Sequence, residues 1–169
     1  MKIIGEIIGG LAIIINFLIY QQKERKNLLK IKLLSDIAWA LHYGLLTAFS
    51  GMSVCLVGAF RETTFLLTDD KEDNRKYFLL TFAIIAVITS ALTMKDLYGL
   101  LPALASLIAV FSYWQKSPTL TKILGLPISA TMLIYDFMRF SLFGIINEIF
   151  TLISITVLFI LNHFKDKTN

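Results

Sequence analysis

Six ionisable side chains stand inside or at the ends of long apolar runs: Asp36, His42, Arg61, Glu62, Asp136 and Glu148. Groups of these types, kept from bulk water, do one of two kinds of chemistry. They grip the charged or polar groups of a solute, or they pair with one another and hold helices together. Enzyme chemistry has little support. His42, Asp36 and a serine such as Ser53 supply the residue types of a nucleophilic triad, but such a trio arises by chance in a chain of this length, and no motif sets a nucleophile beside its base. Two histidines, His42 and His163, and one cysteine, Cys55, give no zinc-ligand spacing. A glycine-rich phosphate loop is also missing. The expectation is a protein that is not an enzyme and uses no cofactor or metal.

The elements that must position these groups are set by composition. Of 169 residues, 56% are hydrophobic and 17% charged, with a mean hydropathy of +0.72, beyond the apolar share of ordinary soluble domains. A helix needs roughly 20 apolar residues to cross a bilayer, and seven candidate spans are found at about 3–20, 28–48, 50–68, 77–94, 97–115, 119–138 and 142–162. The sequence therefore predicts an all-α membrane protein with seven transmembrane helices. An ionised group at the centre of a span costs about 2.5–3.5 kcal/mol on insertion scales, so Asp36 and Arg61 must face protein or water. The first segment has no small-residue cleavage site and reads as a retained span.

A net charge of +4 does not point to nucleic acid, because the basic residues sit in short connectors between spans. Lys23, Arg25, Lys26, Lys30, Lys32, Lys71, Arg75, Lys76, Lys116, Lys122, Lys165 and Lys167 fall on one side; Lys2, Lys95 and Arg139 fall on the other. Cytoplasmic loops carry the Lys/Arg excess, so the N-terminus is expected outside and the C-terminus in the cytoplasm. The lipid bilayer is the expected partner, and a homo-oligomer is compatible with this plan.

Leu11–Lys23 returns as Leu104–Lys116, an offset of 93 residues, with Leu, Ala, Ile and a Tyr-x-Gln-Lys ending retained. Internal repeats fix architecture before single residues are interpreted. The offset moves segment one onto segment five, four crossings on, so the copies point the same way and segment four inverts the chain between them. The plan is three plus one plus three: residues 1–68 form the first three-helix repeat, 69–96 a cytoplasmic loop and linker helix, and 97–169 the second repeat. Parallel repeats of this kind place a binding site between the copies.

Helical periodicity then collects the polar groups on faces. Segment one gathers Gly5, Gly9, Ala12 and Asn16, a small-residue face suited to close packing. Segment two aligns Asp36, Trp39 and Tyr43 with His42 beside them. Segment three aligns Gly51, Val54, Gly58 and Arg61 with Cys55 and Glu62 beside them, and the offset turns this face into Gly144, Asn147, Thr151 and Ser154 with Glu148 in place of Cys55. Two readings stand. Either the stripes on segments three and seven meet along a solute pathway, or Arg61 pairs with Glu62, Asp36 or Glu148 and the stripes bind helices to one another. His42 maps onto Tyr135 and Tyr43 onto Asp136, giving each copy a polar rim near its outer end. Asp136 and Arg139, three apart, are spaced to pair.

The basic run Gln22–Leu29, then Ala38-Trp-Ala-Leu-His-Tyr-Gly-Leu-Leu46, then Gly58-Ala-Phe-Arg61 resembles the YgjV-type bacterial inner-membrane proteins over nearly the whole chain. The chain departs from that family's pattern at Val54-Cys55, where an asparagine is expected, and at Glu62. YgjV-type proteins are in turn similar to the SWEET, semiSWEET and PQ-loop group, whose half-repeats carry elements like Trp39, Tyr43-Gly44 and Gly58. The resemblance implies a central pocket near Trp39, Cys55 and Asn147, and a location in the inner (cytoplasmic) membrane. It implies no substrate. The resulting expectation is transport of a small polar solute by alternating access, with Trp39, Cys55 and Asn147 lining the site. Arg61 and Glu148 would bind a charged group or pair with each other, and His42, Tyr43, Tyr135 and Asp136 would form a gate. The alternative is a non-transporting scaffold that docks a partner through the basic stretch from Lys23 to Lys32.

Overall fold

Two of the chain's helices begin where a local stop signal releases the preceding turn. The carbonyl of Glu24 accepts the first helical bond from Leu28 N at 3.0 Å, and the carbonyl of Ser117 accepts one from Thr121 N at 3.0 Å. Ser117 Oγ also accepts from Leu120 N at 3.4 Å, and Pro118 follows at the first helical position, where its missing N–H costs nothing. Positions 24 and 117 differ by the repeat offset.

The computed structural model describes residues 2–45, 49–68, 75–93, 97–138 and 142–167. Among them are seven α-helices and no strand: α1 (Lys2–Ile19), α2 (Arg25–Leu45), α3 (Phe49–Thr68), α4 (Arg75–Thr93), α5 (Leu100–Trp114), α6 (Pro118–Met138) and α7 (Leu142–Lys167), with a 3₁₀ turn over Leu97–Gly99 before α5. Both bounds of α2 move onto those of α6 under a shift of 93 residues, and the start of α3 moves onto the start of α7. The turn closing α1, Gln22 N to Ile19 O, has the same counterpart in Gln115 N to Ser112 O.

Helix α2 packs between α1 and α3, α6 packs between α5 and α7, and α4 bridges α3 and α5. The two groups meet where α1 touches α7 and where α3 touches α5. Exchanging α1 with α5 and α3 with α7 turns one of these interfaces into the other.

Only two stretches among the described residues, Pro118–Met138 and Leu142–Leu161, are long and apolar enough by composition to cross a membrane. The sequence expects seven. The difference is largest in α2, which begins before residue 28 and so carries Lys26, Lys30 and Lys32 on the helix, and in α3, which holds Arg61 and Glu62. Lys26 and Lys30 are exposed, whereas the charges further along the helices turn inward. Asp36, His42, Arg61, Glu62 and Glu148 are buried, whereas Ile4, Ile7, Leu11 and Ile14 of α1 and Ile146, Ile149, Ile153 and Val157 of α7 are exposed. Soluble domains rarely bury charge while presenting such faces to water. An apolar exterior around a polar interior suits a lipid solvent.

The apolar core lies at one end of the bundle, where Ile19, Leu28, Leu29, Phe65, Phe82, Tyr113 and Ile155 meet. Elsewhere, glycines let charged or polar side chains come close. A β-carbon on Gly9 would lie 2.7 Å from His42 Nδ1, one on Gly58 would lie 2.5 Å from Asp36 Oδ2, and one on Gly144 would lie 2.5 Å from the Asp136 carboxylate oxygens. By contrast Gly10 has nothing within 4 Å. Gly9→Ala is expected to destabilise the protein by about 1–3 kcal/mol through overpacking, and Gly10→Ala to be neutral or to stabilise by up to about 1 kcal/mol. Thermal unfolding of the two variants in detergent checks the contrast.

Candidate functional site

Polar faces of five helices converge on a cavity of about 230 Å³. From α1 come Asn16 and Tyr20; from α2, Lys32, Asp36, Trp39 and Tyr43; from α3, Val54, Cys55, Gly58 and Arg61; from α6, Ser129, Met132 and Asp136; from α7, Gly144, Asn147 and Glu148. Helices α4 and α5 add Phe82, Ala86, Ala105, Ala109 and Tyr113. The lining is paired by the repeat. A shift of 93 residues moves Asn16 onto Ala109, Tyr20 onto Tyr113, Ser35 onto Ile128, Asp36 onto Ser129, Trp39 onto Met132, Tyr43 onto Asp136, Val54 onto Asn147 and Cys55 onto Glu148, and both members of every pair line the cavity.

The two sides differ in charge. On the α2–α3 side, Lys32 Nζ pairs with Asp36 Oδ1 one helical turn on. Arg61 donates from Nε at 3.0 Å and Nη2 at 2.7 Å to Glu62 Oε1. Both cations lie over the ring of Tyr113, Arg61 at 5.0 Å and Lys32 at 5.6 Å from its centroid, a cation–π contact that softens their removal from water. Tyr113 and its repeat counterpart Tyr20 both line the cavity here.

On the α6–α7 side the donors are neutral. Asn16 Nδ2 donates to Asn147 Oδ1 at 3.0 Å and to Thr151 Oγ1 at 2.8 Å. Asn147 Nδ2 passes the relay on to Glu148 Oε1 at 3.0 Å, and Ser129 lines the cavity on the same side. Among the described residues Glu148 makes no ion pair. Gln21 Nε2 donates to Ser154 Oγ at 2.9 Å, closing the α1–α7 interface one turn further along. Asn16→Leu should therefore cost about 0.6–2 kcal/mol, the range of interhelical hydrogen bonds in membranes, as thermal unfolding would show, and it should also loosen Asn147 and Glu148.

All five residues expected to bind solute, Trp39, Cys55, Arg61, Asn147 and Glu148, line this cavity. Arg61 pairs with its sequence neighbour Glu62, one of the three acids expected as its partners in the helix-binding reading, while Glu148 accepts from Asn147. The four gate residues are divided. Tyr43 and Asp136 line the cavity, but His42 and Tyr135 are not among its lining residues. His42, expected at an open rim, is buried and bonds through Nδ1 to Gly5 O at 2.7 Å, in the space that Gly9 leaves. It ties α2 to α1. Its ring meets Trp39 at 5.3 Å, and Trp39 in turn stacks on Tyr43 at 5.7 Å.

Four further contributors were not picked out from the sequence. Lys32 reads as one more charge of the basic connector, and only the start of α2 at Arg25 puts it inside. Tyr20 and Tyr113 read as marks of the duplication. Ser129 gives no signal of its own beyond being the offset partner of Asp36. The side chains of Glu6 and Ser53, Arg139 with which Asp136 was to pair, and the polar loop over 69–74 lie outside the described residues.

Charged and polar side chains turned into a cavity within an apolar shell suit a membrane, and comparison with known families identifies which. The chain matches Imp-YgjV, described as a bacterial inner membrane protein family, over residues 3–164. It belongs to the Imp-YgjV family. The match reaches all seven helices, and every residue that lines the cavity lies within it. As a member of Imp-YgjV the chain is a bacterial inner membrane protein, in keeping with its apolar exterior. No curated protein and no solved structure matches it.

Proposed function

We propose that this Imp-YgjV protein carries a small polar solute across the inner membrane by alternating access, and that it is a carrier rather than an enzyme. The observation that carries this reading is the paired lining. A pathway that opens alternately to the two sides is most simply built from two like halves meeting at the solute, and eight pairs of cavity positions are related by one sequence offset. The matching bounds of α2 with α6 and the exchange of the α1–α7 and α3–α5 interfaces support a SWEET-like arrangement of three plus one plus three helices. In that arrangement the N-terminus faces the periplasm and the apolar cluster around Tyr113 lies toward the cytoplasm. Trp39 offers a stacking face, and Glu148, held only by neutral donors, favours a solute with a cationic group.

The scaffold reading draws less support. Of its basic stretch, Lys32 pairs with Asp36 inside the bundle and Arg25 Nη1 donates to the carbonyl of Tyr113 at 3.1 Å, which leaves Lys23, Lys26 and Lys30 exposed. The test is a thermal-shift screen of purified protein against amines, amino acids, sugars, nucleosides and vitamins, followed by uptake into proteoliposomes. One class should raise the unfolding temperature by mass action and accumulate. If no class does either, while charge reversal at Lys23, Lys26 and Lys30 abolishes a cellular phenotype, the scaffold reading replaces this one.

A further inference from the structure

Tyr20 and Tyr113 are equivalent positions of the repeat, and each reaches into the opposite half of the bundle. Tyr113, on α5, lies beneath Arg61 and Lys32, its ring centroid 5.0 Å and 5.6 Å from the two cations. Tyr20, just past the end of α1, is seated on α6. A β-carbon on Gly125 would meet its ring Cε1 at 2.8 Å and its hydroxyl oxygen at 3.2 Å. Lys32 and Gly125 are themselves 93 residues apart, so the contact of Tyr20 with α6 is the repeat image of the contact of Tyr113 with α2. The position that holds a lysine over one tyrosine holds no side chain over the other. Both rings are also shared between the cavity and the apolar cluster: Tyr20, Phe82, Ala86, Val110 and Tyr113 line the cavity, belong to the cluster and are buried. Behind them Ile19, Leu28, Leu29 and Ile155 are buried to 0–1% exposure and do not line the cavity. Near the close of α2 and the starts of α3 and α7, by contrast, the lining residues Tyr43, Cys55 and Asn147 keep partial exposure.

We infer that Tyr20 and Tyr113 are a gate: they shut the cavity at the end where α1 and α5 finish, while the cavity is entered from the opposite end. The gate rests on the carrier reading, in which each end opens in turn. A layer of packed aromatic and aliphatic side chains excludes water as well as solute, as apolar constrictions do in pores. The two halves are also fastened to each other at this end, where Arg25 Nη1 donates to Tyr113 O at 3.1 Å and Gln21 Nε2 to Ser154 Oγ at 2.9 Å. Opening must lift Tyr20 off Gly125, draw Tyr113 from under its two cations and break the bond from Arg25. Because one tyrosine contact is the image of the other, a rotation of one half against its counterpart releases both together. Lys23 and Lys116 follow the two tyrosines, which makes this the cytoplasmic end in the same reading.

Cys55 is the chain's single cysteine and lines the cavity, so its thiol reports the face from which the cavity is reached. The full-length protein is treated with a small, charged, membrane-impermeant methanethiosulfonate. Spheroplasts present the periplasmic face to the reagent and inverted inner-membrane vesicles the cytoplasmic face, and mass spectrometry of the purified protein gives the modified fraction. Wild type should react faster from the periplasmic face. Tyr20→Ala and Tyr113→Ala should each raise the cytoplasmic rate about tenfold or more, because loss of a packed aromatic ring moves a two-state equilibrium by at least that factor. Tyr113→Phe, which keeps the ring under both cations, should react as wild type does. Gly125→Ala retains both tyrosines and crowds Tyr20 from its seat, so it should also raise the cytoplasmic rate, and this keeps the gate testable if an alanine at either tyrosine prevents folding. Wild-type modification no faster from the periplasmic face than from the cytoplasmic one overturns the gate. So does a cytoplasmic rate that neither the tyrosine truncations nor Gly125→Ala increases. The modification involves no solute, so the gate and the carrier reading fail separately.

Discussion

Arg61→Ala is expected to destabilise the folded protein by about 3–5 kcal/mol, because it strips Glu62, 0% exposed, of both N–H donors and of its counter-charge. Breaking a buried pair from one side costs this much; deleting the whole pair often costs little. The double variant Arg61→Leu/Glu62→Leu should therefore recover most of the loss, and Arg61→Lys only part of it, since a single ammonium cannot reproduce the two bonds from Nε and Nη2. Thermal unfolding in detergent across this set forms a double-mutant cycle. A wild-type melting temperature for Arg61→Ala would show that the pair does not hold α3 in place.

Glu148→Gln is expected to act in the opposite way, removing function and leaving the fold. Glutamine keeps the shape and an oxygen that accepts from Asn147, and it relieves a buried charge that has no ion-pair partner among the described residues. Stability should stay within about 1 kcal/mol or rise. A charge-assisted hydrogen bond to a cationic solute group contributes about 1.5–3 kcal/mol, so affinity should fall roughly ten- to a hundredfold, read as a weaker ligand-induced melting shift and slower uptake into proteoliposomes. Unchanged affinity with unchanged stability would remove Glu148 from the solute site. The two variants thus separate the α2–α3 side, where charges are matched, from the α6–α7 side, where they are not.

The stripe Asp36, Trp39 and Tyr43 and the face holding Gly58 and Arg61 were legible because helical periodicity fixes which residues share a side, and a charged group in an apolar run must turn inward. The same rule reached Glu148 and Asn147 through the repeat register. It named Glu62, Asp36 and Glu148 as partners for Arg61 without choosing among them, because the choice depends on where a side-chain fork reaches, on its own helix or across to another. The position of His42 was hidden for a related reason. A polar aromatic near a helix end reads as part of an outer rim, yet Gly9 on the neighbouring helix leaves a socket that draws the ring inside.

By itself the sequence determined the helical class, the apolar setting, the duplication and its offset, and the residues that had to avoid lipid, all consequences of local composition and of a period that needs no knowledge of neighbours. Tertiary structure alone decided that Lys32 belongs to the cavity and not to the connector, that Asn16 reaches across to α7, and that one oxygen each of Asp36 and Glu62 is buried without a hydrogen-bond partner. Those facts rest on distances between helices far apart in the chain, where one missing β-carbon or one side chain of a particular length sets which groups touch.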